Sequence, residues 1–315
     1  MTEQERKKKK RAKRKKKMAS MLAMILVLSV GMWGTMAYLK TLSNKEVNTF
    51  TGSEGITLKL TEPAWWEKDD QGNITEHDSK KAKNYSPGMK LNKNPQLTNN
   101  TTGDTKATEW VAMVVTYKIG NDASPVVYKP ISYGNMKNLI KELDFVSGQD
   151  GNGGVWKPVY VSVAEDNGTY KISSPTLTSG DHDKYAFAIY LYDKTLANNT
   201  STGPLFEHVE LKDTTALEAS SGGLADLTAA VGGAGTSDLS EAYSTNGNLP
   251  GFQIDVFGVG IKNEYVDGGG NLIDTYDQLI NDGTTNQPQD LLDNMIEVIQ
   301  SNIDQAVLEV GATTP

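Results

Sequence analysis

Trp110-Val-Ala-Met-Val-Val-Thr-Tyr-Lys-Ile119 decides the fold. Its odd positions, Val111, Met113, Val115, Tyr117 and Ile119, make one apolar face, while Trp110 and Val114 share the other with Thr116 and Lys118. That two-residue period is a strand's, and apolar groups on both faces place it centrally in a sheet. Further strands follow outward from it. Ile56, Leu58 and Leu60 alternate with Thr57 and Lys59. Val159–Val163 and Tyr170–Ile172 flank Asp166-Asn167-Gly168, and an Asn-Gly step supplies the positive φ values of a hairpin turn. Tyr185–Tyr192 is apolar on both faces and predicts a second interior strand. Phe252–Ile261 predicts the last one, with Gly258 and Gly260 marking a bulge or a close backbone approach.

Helical signals are fewer. Leu139, Ile140 and Leu143 suit a short helix over Met136–Leu143. Pro288 opens a C-terminal helix whose stripe runs Leu292, Ile296, Ile299, Ile303, Ala306 and Val310. Fewer than three heptads rarely sustain a coiled coil, so burial on the chain's own sheets is expected ahead of a helix–helix contact with a neighbour. Residues 213–248 are interrupted by Gly222-Gly223, Gly232-Gly233 and Gly235 and read as a flexible insertion. The chain is therefore expected to be mainly β. An extended segment at 38–54 precedes a β-sandwich at 55–265, and a helical tail occupies 266–315.

The charge is divided unevenly. Residues 1–17 hold eleven Lys or Arg against Glu3 and Glu5, and residues 18–37 carry no ionisable side chain. A basic n-region, an apolar h-region and small residues near Ala37 form a signal-peptide pattern, with a retained membrane anchor as the alternative. Beyond residue 37 there are 20 basic and 37 acidic side chains, a surface that repels nucleic acid. With no cysteine, the exported chain has no disulfides, and stability must come from core burial, assembly or bound ions.

Catalytic motifs are scarce. His77, His182 and His208 lack the spacing of helical metal ligands, and no nucleophile elbow or phosphate loop occurs. Asp181, His182 and Asp183 are weak candidates for zinc or calcium, against a solvated turn before the next strand. Asp69–Asn73 resembles a calcium loop but has Lys80 where the closing Glu belongs. No catalytic residue is nominated.

Three motifs together resemble the TasA/camelysin family of exported bacterial surface and biofilm-matrix proteins. They are Gly34-Thr-Met-Ala-Tyr-Leu-Lys40 leading to Val47-Asn-Thr-Phe-Thr-Gly52, then Tyr85-Ser-Pro-Gly-Met-Lys-Leu-Asn-Lys-Asn-Pro95, then Tyr185–Tyr192 with Thr202-Gly-Pro-Leu-Phe206 and Phe252–Ile261. The resemblance implies a jelly-roll-like β-sandwich and cleavage between Ala37 and Tyr38 by a SipW-type signal peptidase. It also implies extracellular assembly with itself or related matrix subunits, the membrane being touched only through the leader. The freed segment, with Tyr38, Leu39, Leu42, Val47 and Phe50, would add as a strand to a neighbouring subunit. Two other readings remain open. One is a camelysin-like secreted metalloprotease. The other is a monomeric adhesin presenting Trp65-Trp66 and the 146–158 loop with Trp156.

Overall fold

The computed structural model describes residues 48–51, 57–63, 66–68, 74–76, 88–101, 108–121, 127–213, 251–282 and 286–313. The first strands are β1 (Asn48–Thr51), β2 (Thr57–Thr61), β3 (Trp66–Lys68), β4 (Ile74–Glu76), β5 (Lys90–Asn92) and β6 (Gln96–Asn99). Next come β7 (Thr108–Asn121), β8 (Val127–Pro130), a short helix α1 (Tyr133–Met136), β9 (Trp156–Asp166), β10 (Thr169–Thr176) and β11 (Phe187–Tyr192). The chain ends with β12 (Leu196–Ala197), β13 (His208–Glu210), β14 (Gly251–Lys262), α2 (Tyr276–Asn281), α3 (Gln287–Asn302) and α4 (Gln305–Glu309). The protein is mainly β.

The Trp110–Ile119 run lies within β7, an interior strand of an antiparallel sheet ordered β10-β9-β11-β7, with β14 on the far side of β7. β12, β11 and β8 follow one another along the same side of β7, opposite Thr108 and Glu109, then Ala112–Thr116, then Lys118–Asn121. β14 runs the other side without a break, from Gly251 opposite Gly120 to Lys262 opposite Glu109. The β9–β10 hairpin turns at Asn167 and Gly168, with φ of 53° and 78°, as the Asn-Gly step requires.

A second layer covers one face of this sheet. β1, β2 and β6 form an antiparallel trio, and residues 199–212 run along β6 and β5, where Thr202 N–H donates to Leu97 O at 2.8 Å and Lys93 N–H to Glu207 O at 3.1 Å. Residues 139–146 flank that stretch in turn, through Lys141 N–H to Glu210 O at 2.8 Å and Val146 N–H to Leu205 O at 2.9 Å. Between the layers lie Leu58, Leu97, Met113, Tyr117, Phe206 and Val256. This pairing explains why Met136–Leu143 is not a helix. The helix begins at the Ser132 cap and ends at Met136, because Ile140 is used as a bridge to Leu211.

The opposite face is covered by the C-terminal helices, which bury Leu292, Met295, Ile296 and Ile299 against Trp110, Ala112, Val114, Val159 and Val259. The stripe does not continue to Ala306 and Val310. α3 stops at Ile303, whose backbone is extended (φ −86°, ψ 143°). Asp304 then caps α4 by accepting from Ala306 N–H at 3.1 Å, and Val307 and Leu308 become the buried positions.

One carboxyl is trapped where β7 enters the interlayer core. Glu109 is fully buried. Its Oε1 accepts from Thr101 Oγ1 at 2.5 Å, and its Oε2 has no hydrogen-bond partner. Burial pushes its pKa from 4.5 up to about 7, opposed by the Thr101 hydrogen bond. Thr101 Oγ1 also accepts Thr57 N–H at 3.0 Å, and Thr101 N–H donates to Asn99 Oδ1 at 3.0 Å. Glu109 therefore ends a network tying the start of β2 to the end of β6.

The unfolded chain releases this proton near pH 4.5 and the folded chain near 7, so stability falls as pH rises through that window and stays lower above it. Glu109→Gln is expected to gain up to about 3 kcal/mol over the native chain at pH 8 and nothing at pH 4. Urea unfolding at the two pH values measures the difference.

Candidate functional site

A sheet edge leaves backbone N–H and C=O groups without partners, and natural proteins either cover such an edge or use it. Among the described residues the two long outer strands of the main sheet are β10 and β14, and they are finished in opposite ways.

Tyr117 N–H donates to Ala186 O at 2.9 Å on the β11 side, and Asn263 N–H to Thr108 O at 2.9 Å on the other. Backbone groups alternate in direction along an antiparallel strand, so the odd residues of β7 face β11 and the even ones face β14. In the β7–β14 register, the odd residues of β14 then point their backbone at β7. Ile254, Val256, Gly258 and Gly260 point theirs away. Among the described residues nothing hydrogen-bonds to that outer row. Side chains hold the strand in place from both faces: Ile254 and Val256 enter the interlayer core, and Val259 and Ile261 enter the helix-covered core. Phe252–Ile261 contains no proline. Its one carboxylate, Asp255, is paired with Lys118 Nζ at 3.2 Å.

Gly258 is the close approach that the sequence leaves open against a bulge. Its pairing with Met113 is in register, and a Cβ there would lie 2.3 Å from Leu97 Cδ2 and 3.2 Å from Leu58 Cδ2.

The β10 edge is closed by side chains. Gln300 Oε1 accepts Ile172 N–H at 2.8 Å while its Nε2 donates to Tyr170 O at 3.1 Å. Gln305 Oε1 accepts Tyr170 N–H at 2.8 Å, its Nε2 reaches the same carbonyl at 3.3 Å, and Gln289 Nε2 donates to Pro175 O at 3.3 Å. Ser174, at φ 52°, and a register shift before Thr176 interrupt the pleat as well. Little in the sequence marks these glutamines. The one hint is that residues 263–315 hold ten acids and no Lys or Arg, yet carry uncharged amides where the strand edge lies.

The residues singled out from sequence fall as follows. Ala37, Tyr38, Leu39, Leu42 and Val47 lie outside the described residues, as do Trp65, Asp69–Asn73, His77 and all but Asp213 of the 213–248 insertion. Phe50 is in β1, opposite Leu58 of its own chain. His182 faces the sheet: its Nε2–H donates to Val159 O at 3.2 Å, its ring stacks on Tyr160 with centroids 4.5 Å apart, and burial lowers its pKa. Asp181 Oδ1 accepts Asp183 N–H at 2.8 Å, and Asp183 Oδ2 accepts from Lys137 Nζ at 2.6 Å. Among the described residues no group of three His, Asp or Glu side chains is gathered to hold a metal ion.

Trp156, expected on a surface loop, is instead buried. Its Nε1 donates to Gly203 O at 3.2 Å, and its ring lies 5.2 Å from that of Tyr192. The loop before it is held by Asp150, which accepts Tyr192 Oη–H at 2.6 Å, Asn152 N–H at 2.8 Å and Gly154 N–H at 3.2 Å. Burial alone would raise the Asp150 carboxyl, but these bonds and one from Gly203 N–H hold its pKa below the usual carboxylate value.

The chain matches no protein-family model, no curated protein and no solved structure.

Gly258→Ala is expected to destabilise the protein by about 1–3 kcal/mol, since buried Leu97 must move to admit the methyl group. Urea unfolding of the variant measures it, and an unchanged midpoint would show that Leu97 shifts without cost.

Proposed function

We propose that this chain is an exported structural subunit of an extracellular filament or biofilm matrix, joined to its neighbours by β-augmentation. The observation that carries this reading is the outer edge of β14, where Ile254, Val256, Gly258 and Gly260 offer backbone groups to which no described residue bonds. An extended segment laid along that edge satisfies N–H and C=O groups on both chains, as in donor-strand complementation. The donor is the stretch freed by cleavage between Ala37 and Tyr38. Residues 48–51 already serve as β1 within their own subunit, so the part available to a neighbour is 38–47, with Tyr38, Leu39, Leu42 and Val47 as its apolar side chains.

The TasA/camelysin resemblance supports the same reading from the leader and the motif order. It implies a SipW-type peptidase as the processing enzyme and a second copy or a related matrix subunit as partner. The acidic excess beyond residue 37 suits a secreted protein without nucleic-acid partners.

Protein recovered outside the producing cell is expected to begin at Tyr38, read by N-terminal sequencing. Protein starting at Tyr38 is expected to form fibres, alone or with a co-secreted matrix subunit, while protein starting at Glu46, which keeps β1, stays monomeric. Electron microscopy and light scattering separate the two. Amide exchange adds a strand-level readout: Ile254, Val256, Gly258 and Gly260 gain protection on assembly, whereas Gln253, Asp255 and Val259, bonded to β7, are protected throughout. A Tyr38 form that stays monomeric under all these conditions would falsify the reading.

A further inference from the structure

We infer that the C-terminal helices are an edge guard: α3 and α4 hold the β10 edge in a pseudo-strand that keeps it from pairing with a second copy of this chain.

The hydrogen bonds are those of a neighbouring strand. Gln300 donates to Tyr170 O and accepts from Ile172 N–H, spanning Lys171 as one residue of a parallel strand would. Gln305 engages both backbone groups of Tyr170, as the opposite residue of a hydrogen-bonded antiparallel pair would. Two side-chain amides thus take over what an incoming strand would use. Their positions are set independently by the apolar side of the same helices, where Ile299 and Val307 are buried in the sheet-facing core. A third anchor lies beyond α4, where Thr313 N–H donates to Val163 O at 3.0 Å.

Beneath the guard, the composition of Thr169-Tyr-Lys-Ile-Ser-Ser174 favours pairing: β-branched and aromatic residues recur through Ile172, and the first proline is Pro175. Identical edges related by a two-fold axis pair with themselves, so the occupant that the guard excludes is β10 of another copy. The guard stands on the β10 geometry alone. Combined with the function proposed above, it makes association directional, because the β10 edge is shut while no described residue bonds to the outer backbone groups of Ile254–Gly260.

The test uses chains starting at Glu46, since residues 46–315 form one compact unit and lack the donor segment. Gln300→Ala with Gln305→Ala removes both amides from helix positions that are partly or fully exposed, and near-ultraviolet circular dichroism checks that the core is intact. The double variant is expected to exchange the Tyr170 and Ile172 amides at least tenfold faster than the native chain when dilute. At higher concentration it forms dimers or larger species in which those two amides regain protection. Gln305→Ala alone should speed Tyr170 and leave Ile172 unchanged, which keeps the hydrogen-bond assignment testable should the double variant misfold.

Three results overturn the inference: unchanged exchange at Tyr170 and Ile172, faster exchange without association at any concentration, or association that protects only Ile254–Gly260. None depends on whether protein starting at Tyr38 forms fibres, so failure of the guard and failure of the functional reading are told apart.

Discussion

Backbone hydrogen bonding at the rims of one sheet is the constraint on which this molecule turns. β7 is flanked on both sides, with β14 along one and β12, β11 and β8 in series along the other. Each strand placed beside it moves the unsatisfied row outward. Among the described residues its longest stretches lie at β10 and β14, and no arrangement of an open sheet removes it.

The two solutions follow from what lies on each flank. Over β10 the C-terminal helices are already fixed by Leu292, Ile296, Ile299 and Val307 in the core, so Gln300 beside Ile299 in α3 and Gln305 at the start of α4 reach the strand with little further ordering. Near β14 the described helices offer no such amides, and the strand instead buries side chains alternately on both faces. Its side chains therefore fix the strand from both faces, while among the described residues nothing bonds to the outer backbone groups of Ile254, Val256, Gly258 and Gly260, the row that the proposed strand addition uses. Preorganisation of this kind lowers the ordering cost of association.

The buried polar groups obey a related constraint. Asp150, with several donors, keeps its charge and anchors a loop. Glu109, with one hydroxyl donor and an unpartnered oxygen, is driven toward neutrality. Burial acts on both carboxyls, and the number of donors decides the outcome.

Strand positions were legible in the sequence because alternation is local: β7, β11, the β9–β10 turn and β14 all lie where their apolar periods and the Asn-Gly step place them. The start of α3 was legible for a similar reason, in Pro288 and the four-three spacing of Leu292, Ile296 and Ile299. What failed locally failed for a tertiary cause. Met136–Leu143 has helical spacing, yet Ile140 is drawn into a bridge with Leu211, and Trp156, which follows a Gly-rich stretch, opens β9 and packs inward on Gly203 and Tyr192. The candidate site was hardly legible at all. An edge strand and an interior strand share one alternation when both faces are covered, and glutamines at 300 and 305 acquire meaning only beside Tyr170, some 130 positions earlier. Sequence by itself determined that the strongly alternating segments β2, β7, β9, β10, β11 and β14 are strands, because side-chain period is a property of neighbours in the chain, while short strands such as β5, β6, β8 and β12 carry too few residues to show one. Only the tertiary structure decided which strand ends the sheet and which edge is capped, because a backbone group's partner is set by packing between distant segments.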